Sequence, residues 1–175
     1  MERERLLYSI SRFDHYFDSV NNKTAVYLAI TTFILTASVT AYFQISDIFP
    51  ELHCFAYCAI AIDIILAIIA ILGLITLNIL IFASTPFFSQ ESSSLYYFGG
   101  IGTMKCKQFV KISKNRKEAD DLNDLRNQVH TLSKGLSNKF KKLKIAGKLL
   151  RAQSILVFVL LTILFTLKFL TYGNL

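Results

Sequence analysis

The chain is 175 residues long, 53% of its residues are hydrophobic and only 18% are charged. This composition excludes an ordinary small soluble domain and indicates a membrane protein of one domain. The formal net charge is +7, and its distribution matters more than its total, because lysine and arginine beside a membrane span set the orientation of that span.

The N-terminal segment, residues 1–23, is predicted to form an amphipathic helix that leads into the first span. Its apolar residues recur at spacings of three and four, which places them on one helical face. They are Leu6, Ile10, Phe13, Phe17 and Val20. No small-residue cleavage site follows a short apolar region, so we do not expect a cleaved signal peptide.

Three apolar segments are long enough to cross a membrane as helices. About 20 apolar residues at a rise of 1.5 Å cross a hydrocarbon core of roughly 30 Å. We therefore predict transmembrane helices at residues 24–46, 54–83 and 152–173. The third contains Lys168, whose ammonium group can reach the interface near a helix end.

Asp63 lies inside the second predicted span. An ionisable side chain within a span is costly, and its presence there favours a function. Two interpretations stay open. Asp63 lines a pore or binds a cation, or it faces threonine and tyrosine side chains of the first span, or water, near the interface.

The region between the second and third spans divides in two. Residues 84–118 are predicted to be a loop with an aromatic and glycine-rich segment, and residues 119–151 a basic amphipathic helix that continues into the third span. The apolar stripe of this helix is Leu122, Leu125, Val129, Leu132, Leu136, Phe140 and Leu143, with most lysines on other faces. The fold class predicted is an all-α membrane protein with three transmembrane helices and a cytoplasmic helical stalk, formed by residues 1–23 and 119–151.

The charge distribution predicts the orientation in the membrane. Residues 84–151 contain 14 lysines and arginines against 5 acidic residues, whereas the loop between the first two spans contains Asp47 and Glu51 and no base. By the positive-inside rule, the N-terminus is cytoplasmic and the C-terminus is outside.

The basic run from Lys139 to Lys148 has two interpretations. It forms a face attracted to anionic membrane lipid, or one or two of its lysines face a small anionic ligand. Nucleic acid is not expected as a partner, because no recognisable reading module accompanies these bases.

Enzymatic and metal chemistry are not expected. His15, His53 and His130 are far apart in sequence, and no nucleophile motif or phosphate loop is present. A metal could be suggested by His53 with Cys54 and Cys58, but no second group of ligands accompanies them. We predict no metal and no cofactor.

Three stretches, in order, resemble a known family. The first is RFDHYFDSVNNKTAVYLAI, with Arg12, Asp14, Tyr16, Asn22 and Lys23. The second is SSSLYYFGGIGTMKCKQF, which follows Pro86 and contains Ser94, Tyr97, Phe98, Gly99 and Ile101. The third is DLRNQVHTLSKGLSNKFKKLKIA, with Asp124, Gln128, Lys139 and Phe140. In their order and membrane layout they are similar to the Pycsar system effector transmembrane family.

The resemblance implies a bacterial antiphage effector of the inner membrane. A partner pyrimidine cyclase makes cyclic UMP or cyclic CMP during infection, and the effector responds by impairing the membrane. Since three spans do not enclose a conducting path, we expect a homo-oligomer.

The resemblance and the residue chemistry together predict a nucleotide site around residues 92–102, near the base of the first span. Glycine amides can bind an anion, basic side chains can pair with phosphate, aromatic rings can stack on a pyrimidine and amides can read base edges. The predicted ligand-binding residues are Arg12, Asn22, Lys23, Ser94, Tyr97, Phe98, Gly99, Gly100, Gln128 and Lys139. Structural or gating roles are assigned to Asp14, Asp63 and Asp124.

Structural and functional alternatives stay open. The glycines could only permit a tight turn or a positive φ, the aromatics could form an interfacial belt, and Arg12 could pair with Asp14 or Asp124. The protein could also be a membrane subunit whose stalk docks a partner protein, or a ligand-independent membrane toxin.

Overall fold

The structure is a computed structural model that describes residues 1–48, 56–86 and 94–172. Its helices, in chain order, are α1 (Glu2–Ile48), α2 (Ala56–Ser84), α3 (Phe98–Gly102), α4 (Cys106–Asn115) and α5 (Glu118–Tyr172). No strand occurs in these residues, and α1, α2 and α5 are each long and apolar enough to cross a membrane. The predicted all-α class with three spans is therefore confirmed, whereas the cytoplasmic stalk stays a prediction.

Some predictions fall on residues that the structure does not describe. They concern Glu51 in the outer loop, His53 and Cys54 as metal ligands, and the C-terminal residues 173–175. Within the described ranges, no group of three or more histidine, cysteine, aspartate and glutamate side chains is placed to hold a metal ion.

The helix boundaries follow local chemistry. Helix α2 ends at Ser84, two residues before Pro86, because a proline disfavours helical geometry in the residue before it. Helix α5 begins with Glu118, Asp120 and Asp121 in its first turn, where negative charge complements the N-terminal end of the helix dipole. The segment predicted as a loop, residues 84–118, contains the short helices α3 and α4.

The chain forms two compact units. The polar unit consists of Met1–Asn22 and Thr85–Lys141, and the apolar unit consists of Lys23–Ser84 and Lys142–Leu175. Helices α1 and α5 are continuous and contribute residues to both units.

Seven-residue spacing organises the core of the apolar unit. Buried residues on α1 are Thr24, Thr31, Ser38 and Ile45; on α2 they include Ile62, Ile69, Thr76 and Ala83; on α5 they include Ala146, Gln153, Leu160 and Leu167. A repeat of seven keeps one seam of each helix against its neighbours over several turns. Small residues dominate the α1 seam, as expected where membrane helices pack closely.

Gln153 is a buried polar side chain at the centre of this packing. It is fully buried, and its Nε2 donates to the carbonyl oxygen of Ile69 at 3.1 Å. A Cβ at Gly73 would lie 2.7 Å from that Nε2 and 3.1 Å from Cδ1 of Leu35, so the glycine makes room for the amide where three helices converge. The contact gives Nε2 the protein partner that a polar atom in hydrocarbon needs and so helps to fix the position of α5 along α2, whereas Oε1 of Gln153 has no partner among the described residues.

In the polar unit, the apolar stripe predicted for α5 is wrong at one position. Phe140 is 38% exposed, whereas Lys139 is only 7% exposed and its Nζ donates to Oδ1 of Asn21 at 3.2 Å. Both positions fit spacings of three and four between Leu136 and Leu143. The seven-residue repeat that continues at Ala146 selects position 139, so the lysine points inward and the phenylalanine outward.

Candidate functional site

In the polar unit, the segment after residue 93 is anchored to the start of α5. The amide of Leu95 donates to Oδ2 of Asp124 at 2.9 Å, and the hydroxyl of Tyr96 donates to Oδ2 of Asp121 at 2.8 Å. The amide of Tyr96 also donates to Oγ of Ser94 at 3.1 Å, and Ser94 is buried. Two carboxylates one turn apart on α5 therefore fix the aromatic segment.

Arg116, just after α4, pairs with the same two carboxylates. One of its terminal nitrogens lies 2.6 Å from Oδ2 of Asp124, and its Nε lies 3.8 Å from Oδ1 of Asp121. The side chains of Arg116 and Asp124 are 15% and 6% exposed. Desolvated charges of this kind require a partner, so Arg116 and Asp124 depend on each other.

The N-terminus of α1 is attached to α5 by two further ion pairs within the polar unit. Arg3 lies 3.4 Å from Oδ2 of Asp121. Arg126 donates two hydrogen bonds of 3.0 Å to the carboxylate of Glu2. The two side chains of this pair are about half exposed. Both pairs join residues more than a hundred positions apart in the sequence.

A pocket of about 560 Å³ opens beside these contacts in the polar unit. Its lining combines two guanidinium groups, two carboxylates, two aromatic rings and a hydroxyl: Arg3, Leu95, Tyr96, Phe109, Ser113, Arg116, Glu118 and Asp121. Guanidinium groups bind phosphate, rings stack on bases and carboxylates accept from sugar hydroxyls or base N–H groups. The lining thus has the chemistry of a site for a small anionic nucleotide.

Tyr96 enters this pocket as a neutral phenol. Burial raises the pKa of Tyr96 above its ordinary value of 10.0, and the hydrogen bond to Asp121 raises it further, while Arg3 opposes the shift. At neutral pH the hydroxyl is therefore a hydrogen-bond donor to Asp121.

The raised pKa of Tyr96 predicts a pH-dependent stability. The folded state favours the neutral phenol of Tyr96, and this preference contributes to the free energy of unfolding. The contribution is complete below pH 10.0 and is lost as the pH rises through the folded-state pKa. We expect the difference in Tm between the wild-type protein and Tyr96→Phe, measured by circular dichroism in detergent, to stay constant below pH 10.0 and to shrink as the pH rises above it. Tyr57→Phe, at an exposed position, is the control, and a constant difference would contradict the prediction.

Several predicted ligand-binding residues are buried in the polar unit. Ser94, Gly100, Gln128 and Lys139 have little or no exposed surface, and Nε2 of Gln128 has no hydrogen-bond partner among the described residues. Gln128 follows Asp124 by one turn on α5, so Asp121, Asp124 and Gln128 lie along one side of the helix.

The glycine pair is helical. Gly99 and Gly100 lie in α3, and none of the described glycines has a positive φ, so the alternative that required a positive φ does not apply. A Cβ at Gly99 would lie 2.5 Å from the ring of Tyr97. The glycine therefore lets that ring fold back over α3, while Phe98 is 71% exposed.

The predicted residues on α1 are exposed. Arg12 donates to the hydroxyl of Tyr16 at 2.6 Å and its guanidinium lies over the rings of Tyr8 and Tyr16. Arg116 rather than Arg12 therefore pairs with Asp124. The remaining predicted residues that the structure leaves exposed are Asn22 and Asp14 in the polar unit and Lys23 and Asp63 in the apolar unit.

None of the eight residues that line the pocket is among the predicted ligand-binding residues, and those missed include Arg3, Phe109, Arg116 and Asp121. A signal for Phe109 was available, since Phe109 and Ile112 are spaced by three on α4 between exposed lysines. Arg3 and Arg116 had no such signal, because their roles depend on contacts with α5 that are distant in sequence.

Comparison with known proteins identifies the family. A family model described as the Pycsar effector protein domain matches residues 5–166. This range includes α2, α3 and α4, most of α1 and α5, and all of the pocket except Arg3. No match was found among curated proteins or among solved structures. The chain therefore belongs to the Pycsar effector protein family, whose members act in antiphage defence in response to a cyclic pyrimidine signal.

Proposed function

We propose that this protein binds cyclic UMP or cyclic CMP directly and then impairs the bacterial inner membrane. The observation that carries the proposal is the family match over residues 5–166, which includes α2, most of α1 and α5, and the polar segment between α2 and α5. A partner pyrimidine cyclase supplies the nucleotide, and the effector itself catalyses no reaction.

The nucleotide binds in the pocket of the polar unit. A 3′,5′-cyclic mononucleotide carries one negative charge, which Arg3 and Arg116 neutralise. Phe109 offers a face for the pyrimidine, at roughly 1–3 kcal/mol for base–aromatic stacking. Glu118 accepts a hydrogen bond from the ribose hydroxyl or from a base N–H.

Several residues predicted from the sequence hold the segments that line this pocket. Ser94 and Asp124 fix the backbone that carries Tyr96, and Tyr97 packs on Gly99 beside it. Gln128, buried with a free donor, reads a base edge once the segment shifts. We propose that Arg12, Asn22 and Lys23 contact the ligand or a neighbouring subunit from their exposed positions.

Binding is coupled to the membrane through carboxylates on α5. The phosphate of the ligand competes with Asp121 and Asp124 for the guanidinium groups, which weakens the contacts that hold the aromatic segment and the start of α1. Because α1 and α5 are unbroken helices that also form spans, a ligand with different affinities for two arrangements shifts the spans as well. Several subunits assemble around the conducting path, with the N-terminus cytoplasmic.

The test is calorimetric titration of the full-length protein in detergent with cyclic UMP and cyclic CMP, with cyclic AMP as the reference nucleotide. We expect saturable binding of a pyrimidine nucleotide that falls roughly tenfold or more in Arg3→Ala and in Phe109→Leu. Arg126→Ala is the matched control, since it breaks the exposed pair with Glu2 and removes the same charge outside the pocket.

Each outcome decides one part of the proposal. Equal losses of nucleotide affinity in Arg3→Ala and Arg126→Ala would mean that the total charge of the protein, not the pocket, sets the affinity. Loss in Arg12→Ala or Tyr97→Ala alone would move the site to the exposed face of α1 and to α3. If neither cyclic UMP nor cyclic CMP binds the wild-type protein, a partner protein must sense the nucleotide.

A further inference from the structure

A groove of about 510 Å³ lies between α1 and α5 within the apolar unit. Its lining is mainly apolar, although Tyr27, Arg151 and Ser154 carry polar groups; the other lining residues are Ile30, Gly147, Leu150 and Ile155. Since α1 and α5 are both long and apolar enough to cross a membrane, a molecule from the bilayer can reach this groove. The occupant must therefore suit an apolar wall with a cation beside it.

Gly147 creates the floor of this groove. A Cβ at position 147 would lie 3.2 Å from Cε2 of Tyr27 and 3.4 Å from its hydroxyl oxygen. A Cβ alone would require the tyrosine ring to shift by a few tenths of an ångström, and a long side chain would displace the ring or occupy the groove itself. The close approach of Tyr27 to the backbone of α5 therefore depends on glycine.

Arg151 lies one turn after Gly147 on the same face of α5. Its side chain is exposed and makes no hydrogen bond or ion pair within the part of the chain that the structure describes. Lys148 is exposed in the same way. Two exposed cations without protein anions, at the end of an apolar span, can attract a negative partner from outside the chain.

The groove has a polar end and an apolar end. Tyr27 and Gly147 come earlier in α1 and α5 than Ile30 and Ile155, so the tyrosine hydroxyl lies toward the basic segment and the isoleucines lie deeper in the spans. A headgroup at the first end and an acyl chain at the second would match this order. Arg151, between them, can direct its guanidinium toward the interface.

We propose that this groove binds one anionic phospholipid. The phosphodiester pairs with Arg151, for which a guanidinium offers two parallel donors, and one acyl chain lies on Ile30, Leu150 and Ile155. The apolar wall selects a lipid over a free anion. The cations without partners select an anionic headgroup over a zwitterionic one.

The experiment uses the full-length protein purified in an uncharged detergent, without nucleotide. Native mass spectrometry with phosphatidylglycerol and phosphatidylcholine compares retained adducts, and circular dichroism measures the change in Tm. We expect phosphatidylglycerol to be retained preferentially, and Arg151→Gln to lower this preference by about fivefold. Gly147→Leu is expected to remove binding of both lipids by filling the groove.

The controls separate this site from general attraction to charge. Lys111→Gln removes one positive charge from an exposed position on α4 and should leave the preference unchanged. If Gly147→Leu fails to fold, Arg151→Gln and Arg151→Lys still test the proposal. We expect Arg151→Lys to retain part of the preference for phosphatidylglycerol. Equal retention of both lipids, an unchanged preference in Arg151→Gln, or the same rise in Tm with inorganic phosphate would overturn the proposal.

Discussion

Arg116→Ala is expected to lower the local stability of the aromatic segment by about 3 kcal/mol, because it leaves a buried carboxylate without its counter-charge. Asp124 is 6% exposed at its side chain and lies 2.6 Å from the guanidinium. Its Oδ2 also accepts from the amide of Leu95. Loss of the arginine favours arrangements in which Asp124 reaches water, and these break the Leu95 contact.

Amide hydrogen exchange of the protein in detergent measures this effect where it arises. A loss of about 3 kcal/mol corresponds to roughly a hundredfold faster exchange through local opening. The amide of Leu95 should exchange faster, since it bonds directly to Asp124. The amides of α3 should also exchange faster. Residues of the apolar unit such as Ile69 and Leu160, which belong to the buried core, should keep their protection.

Two variants make the comparison specific. Arg126→Ala breaks an arginine–carboxylate pair of the same unit that is half exposed, and exposed pairs contribute only about 0–1 kcal/mol. The double variant Arg116→Leu with Asp124→Asn removes both charges and keeps an acceptor for Leu95, so it should recover most of the protection. Equal effects of Arg116→Ala and Arg126→Ala would show that burial does not govern this pair.

The fold was predictable because its signals are local in the sequence. Long, mainly apolar runs give the spans, and spacings of three and four give the amphipathic parts of α1 and α5. The choice between Lys139 and Phe140 was not predictable from the stripe alone, since both positions fit it. Only the longer repeat through Ala146 and Gln153 separates them, and that repeat includes polar residues that a search for apolar periodicity omits.

The candidate site was predictable only in part. The unusual composition of residues 92–102 marked the segment, and the third family block marked Asp124. Arg12 was one predicted partner of Asp124, whereas the structure pairs Asp124 with Arg116, whose contact depends on how the end of α4 packs against α5. Arg3 lies near the chain terminus, and its contact with Asp121 depends on the packing of the whole polar unit.

The structure excludes one of the interpretations of Asp63. Its side chain is exposed on α2 within the apolar unit, and no hydrogen bond or ion pair holds it among the described residues. An aspartate facing lipid costs about 2.5–3.5 kcal/mol at the centre of a span. The interpretation in which threonine or tyrosine of the first span satisfies Asp63 lacks the required contact, so water or a neighbouring subunit must face it.

We propose that Asp63 lines the conducting path of the oligomer. Asp63→Asn is expected to lower the cation-to-anion permeability ratio of the nucleotide-activated protein by about tenfold, since a change of ~1.4 kcal/mol in the attraction for a cation is a factor of ten. The measurement is the reversal potential of purified protein in planar bilayers under a potassium chloride gradient. Asn78→Ala, an exposed polar position on the same helix, serves as the control.

The possible results distinguish a pore from other forms of damage. A selective current that loses its selectivity only in Asp63→Asn places the carboxylates of several subunits around one aqueous path. A selective current that Asp63→Asn leaves unchanged places Asp63 outside that path, at a contact between subunits. A current with no selectivity in the wild-type protein means that the bilayer itself is disrupted, because a lipid defect has no fixed charge to discriminate between ions.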